Sequence, residues 1–475
     1  MRDYNGYVQD QWQVNRQLTL NLGLRYEFNR FTQPPENASY PQTGQLNQPT
    51  KNFAPRVGLA YSANDGNTVL RGGYGISYAR LLSASVIRLQ QRNGTIQKTI
   101  YFFGGNPAAL AAGPTFPGYL LQAPDLSGGA SNVTFADPNL ATPYTEQADL
   151  TLEQKIDSKT TFDMAYLWNR GVKFLTRKDD NLEPPTTTTT YRILDDSGNQ
   201  VGSYTTPVYT QNYYDPTIAV LNHIYNGGRL YYDALAVSVH RRQSRNMQFS
   251  LAYTWSHSLD NGLGAGADNI YYTDPPVTVF NGDQAFEKGN SPLDQRHRLV
   301  ASGLVSLPTH QFGSHLVSAI ANGWQGSVIE TYATPQGVDP QIVVNGQPFA
   351  NGNSSSTLSG VEIGFAATQR VPFLPRSSIR LGTTIRSDAR LTKTFAMPRE
   401  QSITLNAEIF NAFNYTTITS AYTTAYYANA DGTLTPYDPT SQGNIPATPG
   451  KGYASAGFPD GTNARRGQVS VRYTF

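Results

Sequence analysis

Leu18-Thr19-Leu20-Asn21-Leu22-Gly23-Leu24-Arg25-Tyr26-Glu27-Phe28 alternates apolar and polar residues without a slip. Leu18, Leu20, Leu22, Leu24, Tyr26 and Phe28 fall on one side; Thr19, Asn21, Gly23, Arg25 and Glu27 fall on the other. A period of two is that of a β-strand with one greasy and one wet face, because a helix would repeat its apolar residues every three or four positions. At eleven residues the stretch is roughly twice an ordinary soluble strand, and it matches the ~9–11 residues that cross a bilayer at a tilt. One copy would also suit a soluble sheet. Repetition decides.

The pattern recurs along the chain. An opening strand near Tyr4–Val14 turns at Asn15-Arg16 into this stretch. Phe53, Val57, Leu59 and Tyr61 then lead through Asn64-Asp65-Gly66-Asn67, a hairpin signal, to Leu70, Tyr74, Ile76 and Tyr78. Leu150, Leu152 and Ile156 turn at Asp157-Ser158-Lys159 into Phe162, Met164, Tyr166 and Trp168. Leu235, Val237 and Val239 turn at Ser244-Arg245-Asn246 into Met247, Phe249, Leu251, Tyr253 and Trp255. A less regular pair covers Arg298–Leu307 and Val317–Tyr332. Ala389, Leu391 and Phe395 turn at Pro398-Arg399-Glu400 into Ile403, Leu405, Ala407 and Ile409, and a lone strand, Gly467–Phe475, closes the chain. The expected count is about thirteen strands.

The connections alternate short and long. The long ones include Leu81–Pro143, a segment containing the run Thr186–Thr190, and Tyr415–Asn463. Short turns at one end and long loops at the other mark an outer-membrane barrel, with the short turns in the periplasm. Soluble up-and-down barrels do not carry such loops, and a propeller would repeat a motif every ~40–50 residues, which is not found. Trp12, Tyr26, Tyr61, Tyr78, Trp168, Tyr253, Trp255 and Tyr473 fall near strand ends, as interfacial aromatic girdles do. Asp10 breaks the scheme by sharing a face with Val8, Trp12 and Val14; it implies either a position near the headgroups or a bulge.

Composition fits this reading. The 475 residues carry 36 basic and 34 acidic side chains, a balance that argues against a nucleic-acid binder. With no cysteine there is no disulfide framework and no thiolate metal site. No apolar run is long enough for a membrane helix, while a membrane β-barrel hides its lipid face in every second residue. The opening Met1–Trp12 lacks a basic segment followed by an apolar one, so no secretory leader is read there; the chain is expected to be part of a longer precursor.

These motifs resemble the TonB-dependent outer-membrane receptors, in particular the Oar-like branch. The resemblance is carried by Tyr7-Val8-Gln9-Asp10-Gln11-Trp12 leading into Leu18–Tyr26, by Asp294-Gln295-Arg296-His297-Arg298, by Glu408-Ile409-Phe410-Asn411-Ala412-Phe413-Asn414, and by Val471-Arg472-Tyr473-Thr474-Phe475. It covers residues 1–475 as barrel only. Family barrels have twenty-two strands around a plug, with a TonB box ahead of it. The resemblance therefore implies the last thirteen strands, without plug or box, and the first of them running toward the periplasm. It further implies a bacterial outer membrane, uptake of a bulky ligand such as a siderophore, cobalamin, glycan or peptide, and contact with the TonB complex only through the missing plug. Val469, Val471, Tyr473 and Phe475 look like the terminal signal read by the barrel-assembly machinery. An open set of strands would leave edges that lipid does not tolerate.

Catalytic constellations are not found. The six histidines form no zinc spacing, Gly262, Gly264 and Gly266 complete no dinucleotide fingerprint, and Gly450-Lys451 is no phosphate loop. Flexible loops explain these glycines better. No cofactor and no metal are expected, and the protein reads as a non-enzyme. The rivals are a passive porin, a surface adhesin, and an outer-membrane hydrolase, for which His257 beside Asp260 is the only hint. The candidate lumen-facing residues are Arg25, Glu27, Arg56, Arg71, Asp149, Glu153, Asp163, Asp294, Arg296, Arg298, Glu408 and Arg472. Asp294, Arg296, His297 and Arg298 are the densest charged patch, either a contact at the rim or salt-bridged wall.

Overall fold

The computed structural model describes residues 2–475 apart from 82, 97–117, 120–130, 209–213, 216–217, 245, 263–279, 345–367, 422, 438–454 and 457–463. Arg245 of the expected hairpin, Gly264, Gly266, Gly450 and Lys451 lie outside the described residues. Thirteen strands hydrogen-bond in sequence order into one antiparallel wall. They are β1 (Arg2–Gln13), β2 (Leu18–Arg30), β3 (Phe53–Ala63), β4 (Thr68–Tyr78), β5 (Tyr144–Lys155), β6 (Thr160–Asp179), β7 (Ile218–Ser244), β8 (Met247–Asn261), β9 (His297–Ser306), β10 (Trp324–Ala333), β11 (Thr384–Ala396), β12 (Ser402–Phe410) and β13 (Arg466–Thr474). Among the described residues no pairing joins β1 to β13. Both edge strands run toward the end that carries the short turns.

Register follows from the period. Because directly opposed residues share a face, the pairs Leu20↔Leu59, Leu59↔Gly72, Gly72↔Leu150, Leu150↔Tyr166, Tyr166↔Leu235, Leu235↔Trp255 and Trp255↔His297 put the apolar residues of successive strands on one outer face. A slip of one residue in any strand would turn that set inward. Most of the outer face is open: Leu22, Val57, Leu150, Val328 and Leu391 are 44%, 48%, 53%, 42% and 50% exposed. On β10 the outer face is bounded by Trp324 and Tyr332. Eight steps at ~3.4 Å, tilted ~40°, give roughly 20 Å of height, close to the ~25 Å apolar band of an outer-membrane barrel.

The structure decides one open alternative and corrects two expectations. Asp10 faces Leu22 in an uninterrupted ladder, so no bulge relieves it; it stands on the outer face of an edge strand. Residues His315–Ala321 are a helix, and the tenth strand starts only at Trp324. Leu316, Val317 and Ile320 are spaced for a helical face, the Ser314 hydroxyl caps Val317 N–H at 3.5 Å, and Gly323, at φ +75°, ends the segment where a Cβ would run into the Thr394 carbonyl. Lastly, the Thr186–Thr190 run lies not in an irregular loop but in a strand, Thr187–Leu194, paired with Gln200–Val208.

That hairpin belongs to a second body of structure built from the long connections. Six strands pair in the spatial order 368–370, 341–343, 424–428, 433–436, 187–194 and 200–208, drawn from three different connections. They bury Tyr191, Ile342, Val371, Ala425, Ala428 and Leu434. A second cluster, Phe31, Leu46, Leu81, Val86, Leu89, Leu140 and Ile224, knits the earlier connections together. β7 has 27 residues, roughly 90 Å at ~3.3 Å each; its first part rises beyond the wall, where Ser131–Ala136 pairs with it in parallel. The register between β6 and β7 breaks between Tyr225 and Leu230. Above that break Ile218, Val220 and Ile224 are buried. Below it β7 is wall.

Candidate functional site: a charged inner face beneath a folded cap

Opposite the outer face, Arg25, Arg56, Arg71, Asp149, Asp163, Arg298, Glu408 and Arg472 alternate with the apolar set and share one inner side of the wall. Glu27 and Glu153 continue it on β2 and β5. Several are cross-linked. Arg71 Nε donates to Glu153 Oε1 at 2.7 Å, Arg25 pairs with Glu27, and Arg390 pairs with Glu408. Asp163 accepts from Ser238 Oγ at 3.1 Å, with His240 Nε2 3.9 Å away. Glycines make room for the long side chains: a Cβ on Gly73 would stand 2.8 Å from Asp149 Oδ1, and one on Gly75 3.3 Å from Arg56 Cγ.

The Asp294–Arg298 patch is not one cluster. Asp294 is fully buried at the base of the cap, accepting from Ser258 N–H and Arg296 Nε, both at 2.8 Å. His297 lies on the outer face, with its Nδ1 2.8 Å from the Tyr253 hydroxyl. Arg298 alone stands on the inner face. A run of consecutive residues entering a strand necessarily alternates sides, so its charge density in sequence was no guide to density in space. The hydrolase hint dissolves as well: His257 Nε2 lies 3.1 Å from Asn290 Oδ1, while Asp260 is buried against Arg376.

Sequence reading missed the ionic lock that holds the cap to the wall. Arg376 pairs with Asp260, reaches Asp339 Oδ2 at 3.3 Å, and donates to the Glu287 carbonyl at 2.9 Å. Arg370 Nε donates to Glu287 Oε2 at 3.1 Å. All five side chains are buried, so each charge depends on its partners. Nothing local could have announced a pair 116 residues apart.

At the top of β6 a second polar cluster links β6, β7 and the strand Ser131–Ala136. His223 stacks on Phe135 with centroids 4.6 Å apart, and its Nδ1 lies 2.7 Å from Asp180 Oδ2, its Nε2 3.3 Å from Asp137 Oδ2. Burial pushes the Asp180 carboxyl up, yet His223 and Lys178 outweigh it and hold the group below the usual range. Asp179 beside it is dominated by burial and is pushed up to about 6, although Asn181 and Leu221 N–H donate to it. Among the described residues no group of histidine and carboxylate side chains is arranged to hold a metal ion.

Comparison with known proteins fits this geometry. The family model described as outer membrane beta barrel domain matches residues 1–448. The chain belongs to that family. Its members are outer-membrane barrels and not enzymes, and the barrel domain's place is the bacterial outer membrane. No curated protein matches it in sequence. Among solved structures, the outer membrane transporter YddB from Escherichia coli is 12% identical, with 99% of this chain and 44% of that chain covered at a TM-score of 0.49. A mutant of the ferric enterobactin receptor PfeA from Pseudomonas aeruginosa is 11% identical, with 99% and 44% covered at 0.47. The FrpB iron transporter from Neisseria meningitidis is 9% identical, with 87% and 41% covered at 0.45. The barrel domain thus spans less than half the length of each of these proteins.

Proposed function

We propose that the barrel domain is the C-terminal part of a TonB-dependent receptor of the Oar-like branch, which in whole form takes up a bulky ligand such as a siderophore, cobalamin, glycan or peptide. The observation that carries this reading is the placement of folded long connections over one end of a wall whose inner face is charged. Binding at the cap and along that inner face is the chemistry on offer. The charged inner residues named above would line the lumen and meet a plug supplied by sequence outside this chain. The TonB complex would act through that plug.

The assembly signal is supported by exposure at the last edge. Val469, Val471, Tyr473 and Phe475 are 79%, 68%, 52% and 93% exposed on β13 and its end, where a folding machine could grip them. Removing Phe475 should lower the amount of folded protein in the outer membrane; unchanged assembly would remove that assignment.

The test is uptake in the native host. Disrupting the gene should abolish growth on one of the four ligand classes, and disrupting TonB should produce the same defect. Uptake that persists without TonB, together with steady conductance in planar bilayers, would make the protein a passive pore instead.

A further inference from the structure

The β9–β10 connection differs from the other short turns in carrying the helix His315–Ala321. That helix holds no acidic or basic residue apart from His315. Its apolar side chains point away from the chain: Leu316, Val317 and Ile320 are 70%, 47% and 58% exposed, and Phe312 just before it 43%. A helix facing water would not gather its exposed side chains so.

The same helix is fastened to the outer face of the wall. Lys393 on β11 donates its Nζ to the carbonyls of Ala319 at 2.6 Å, Ile320 at 3.1 Å and Asn322, closing the helix C-terminus. Trp324 Nε1 donates to the Ile320 carbonyl at 2.9 Å. Asn322 clamps the incoming chain through His310, donating to its carbonyl at 2.8 Å and accepting its N–H at 2.9 Å. Lys393 itself is sandwiched between the rings of Trp324 and Phe395, 5.2 and 4.8 Å from their centroids. Trp324 and Lys393 oppose each other on the outer face. Between helix and wall runs a cleft of about 370 Å³ lined by Ile320, Trp324, Leu391, Phe395, Leu405 and Val469. The helix's exposed side is therefore continuous with the surface that meets hydrocarbon.

We infer that His315–Ala321 is an interfacial foot. It lies in the periplasmic leaflet with Leu316, Val317 and Ile320 in the acyl-chain boundary, and Lys393 is the positioning residue that holds it there. The inference rests on the outer face of the wall meeting lipid. Its partner is the phospholipid surface itself, which an uncharged helix recognises through buried apolar area rather than through anionic headgroups.

The chain has no cysteine, so single labelling sites need no background removal. Leu316→Cys, Val328→Cys and Ser197→Cys, each carrying an environment-sensitive fluorophore, are reconstituted in vesicles of phosphatidylcholine brominated either near the headgroup or deep in the acyl chain. The Leu316 label should be quenched at least two-fold, more by shallow than by deep bromine. The Val328 label should show the reverse order, and the Ser197 label neither. A Leu316 label open to aqueous iodide and blind to bromine, with Val328 quenched as expected, overturns the foot and leaves the barrel standing. If Val328 is also blind to bromine, the lipid-facing wall fails and the foot with it. Lys393→Met should cut the Leu316 quenching to less than half while leaving Val328 unchanged; undiminished quenching would remove Lys393 from the positioning role.

Discussion

The wall and the cap are made from the same chain by opposite rules. Wall residues such as Leu22, Val57 and Leu150 lie about half exposed on a single layer, whereas Tyr191, Ile342 and Leu434 in the cap are 1%, 0% and 0% exposed. A wall of this kind has no core of its own. It is held by its backbone ladder and by the hydrocarbon around it. The cap lies beyond the apolar band and must be stabilised as a soluble domain is, by removing apolar area from water and by satisfying what polar groups it buries. One molecule thus answers to two solvents.

The contrast is sharpest at Arg376. Replacing it with methionine leaves Asp260 and Asp339 buried without their cation, which should cost the cap about 3–5 kcal/mol. Hydrogen exchange at the amides of Tyr191 and Leu434 should accelerate while those of Leu20 and Leu235 stay protected. Equal acceleration in both regions would mean that wall and cap open as one unit.

The wall has its own weak point. Leu22→Arg on the outer face should cost about 2–4 kcal/mol of folding stability in vesicles if the residue sits near the midplane. Asn21→Arg, one residue away on the inner face, should cost little. Similar costs for the two would break the assignment of faces.

Next comes acidity. The Asp179 carboxyl, pushed up to about 6 in the folded cap, holds its proton more tightly than in the unfolded chain. The group therefore opposes folding at neutral pH, and the opposition disappears as pH falls below about 4. That opposition amounts to at most about 3 kcal/mol. Asp179→Asn should raise cap stability at pH 7 and flatten its rise between pH 6 and 4, read by protease resistance of the cap. The wall's urea midpoint should not move with this substitution.

The smallest effect is expected on the inner face. Arg71 and Glu153 are half and one-third exposed, so Arg71→Gln should change stability by less than about 1 kcal/mol. A larger loss would show that the inner face is drier than a polar lumen.

Legibility in sequence divides along the same line. Each wall strand was readable because lipid on one side and water on the other imprint a period of two, and register then followed from which residues face outward. The helix at His315–Ala321 was misread because Leu316, Val317 and Ile320 look like strand residues until the Ser314 cap and Gly323 are weighed. The cap was read as loop. Its strands are short, 341–343 and 433–436 among them, and they pair across separate connections, so no local pattern announces them. The hairpin at Thr187–Val208 is an exception: its threonine-rich, β-branched run and the Asp195–Asn199 turn were visible strand signals. The inner-face charges could be assigned a side but not partners, since alternation fixes direction and leaves distance open. Asp294 shows the limit: expected on the inner face, it lies buried at the base of the cap.

β1 and β13, which no pairing joins among the described residues, point the same way. Joining them directly would make a parallel seam in an otherwise antiparallel ring, with slanted and slightly weaker bonds. A ring antiparallel throughout requires an odd number of additional strands to be spliced between them; an even insertion always leaves one mismatched joint. Arithmetic of direction alone therefore sets the parity of any strands that join the two margins.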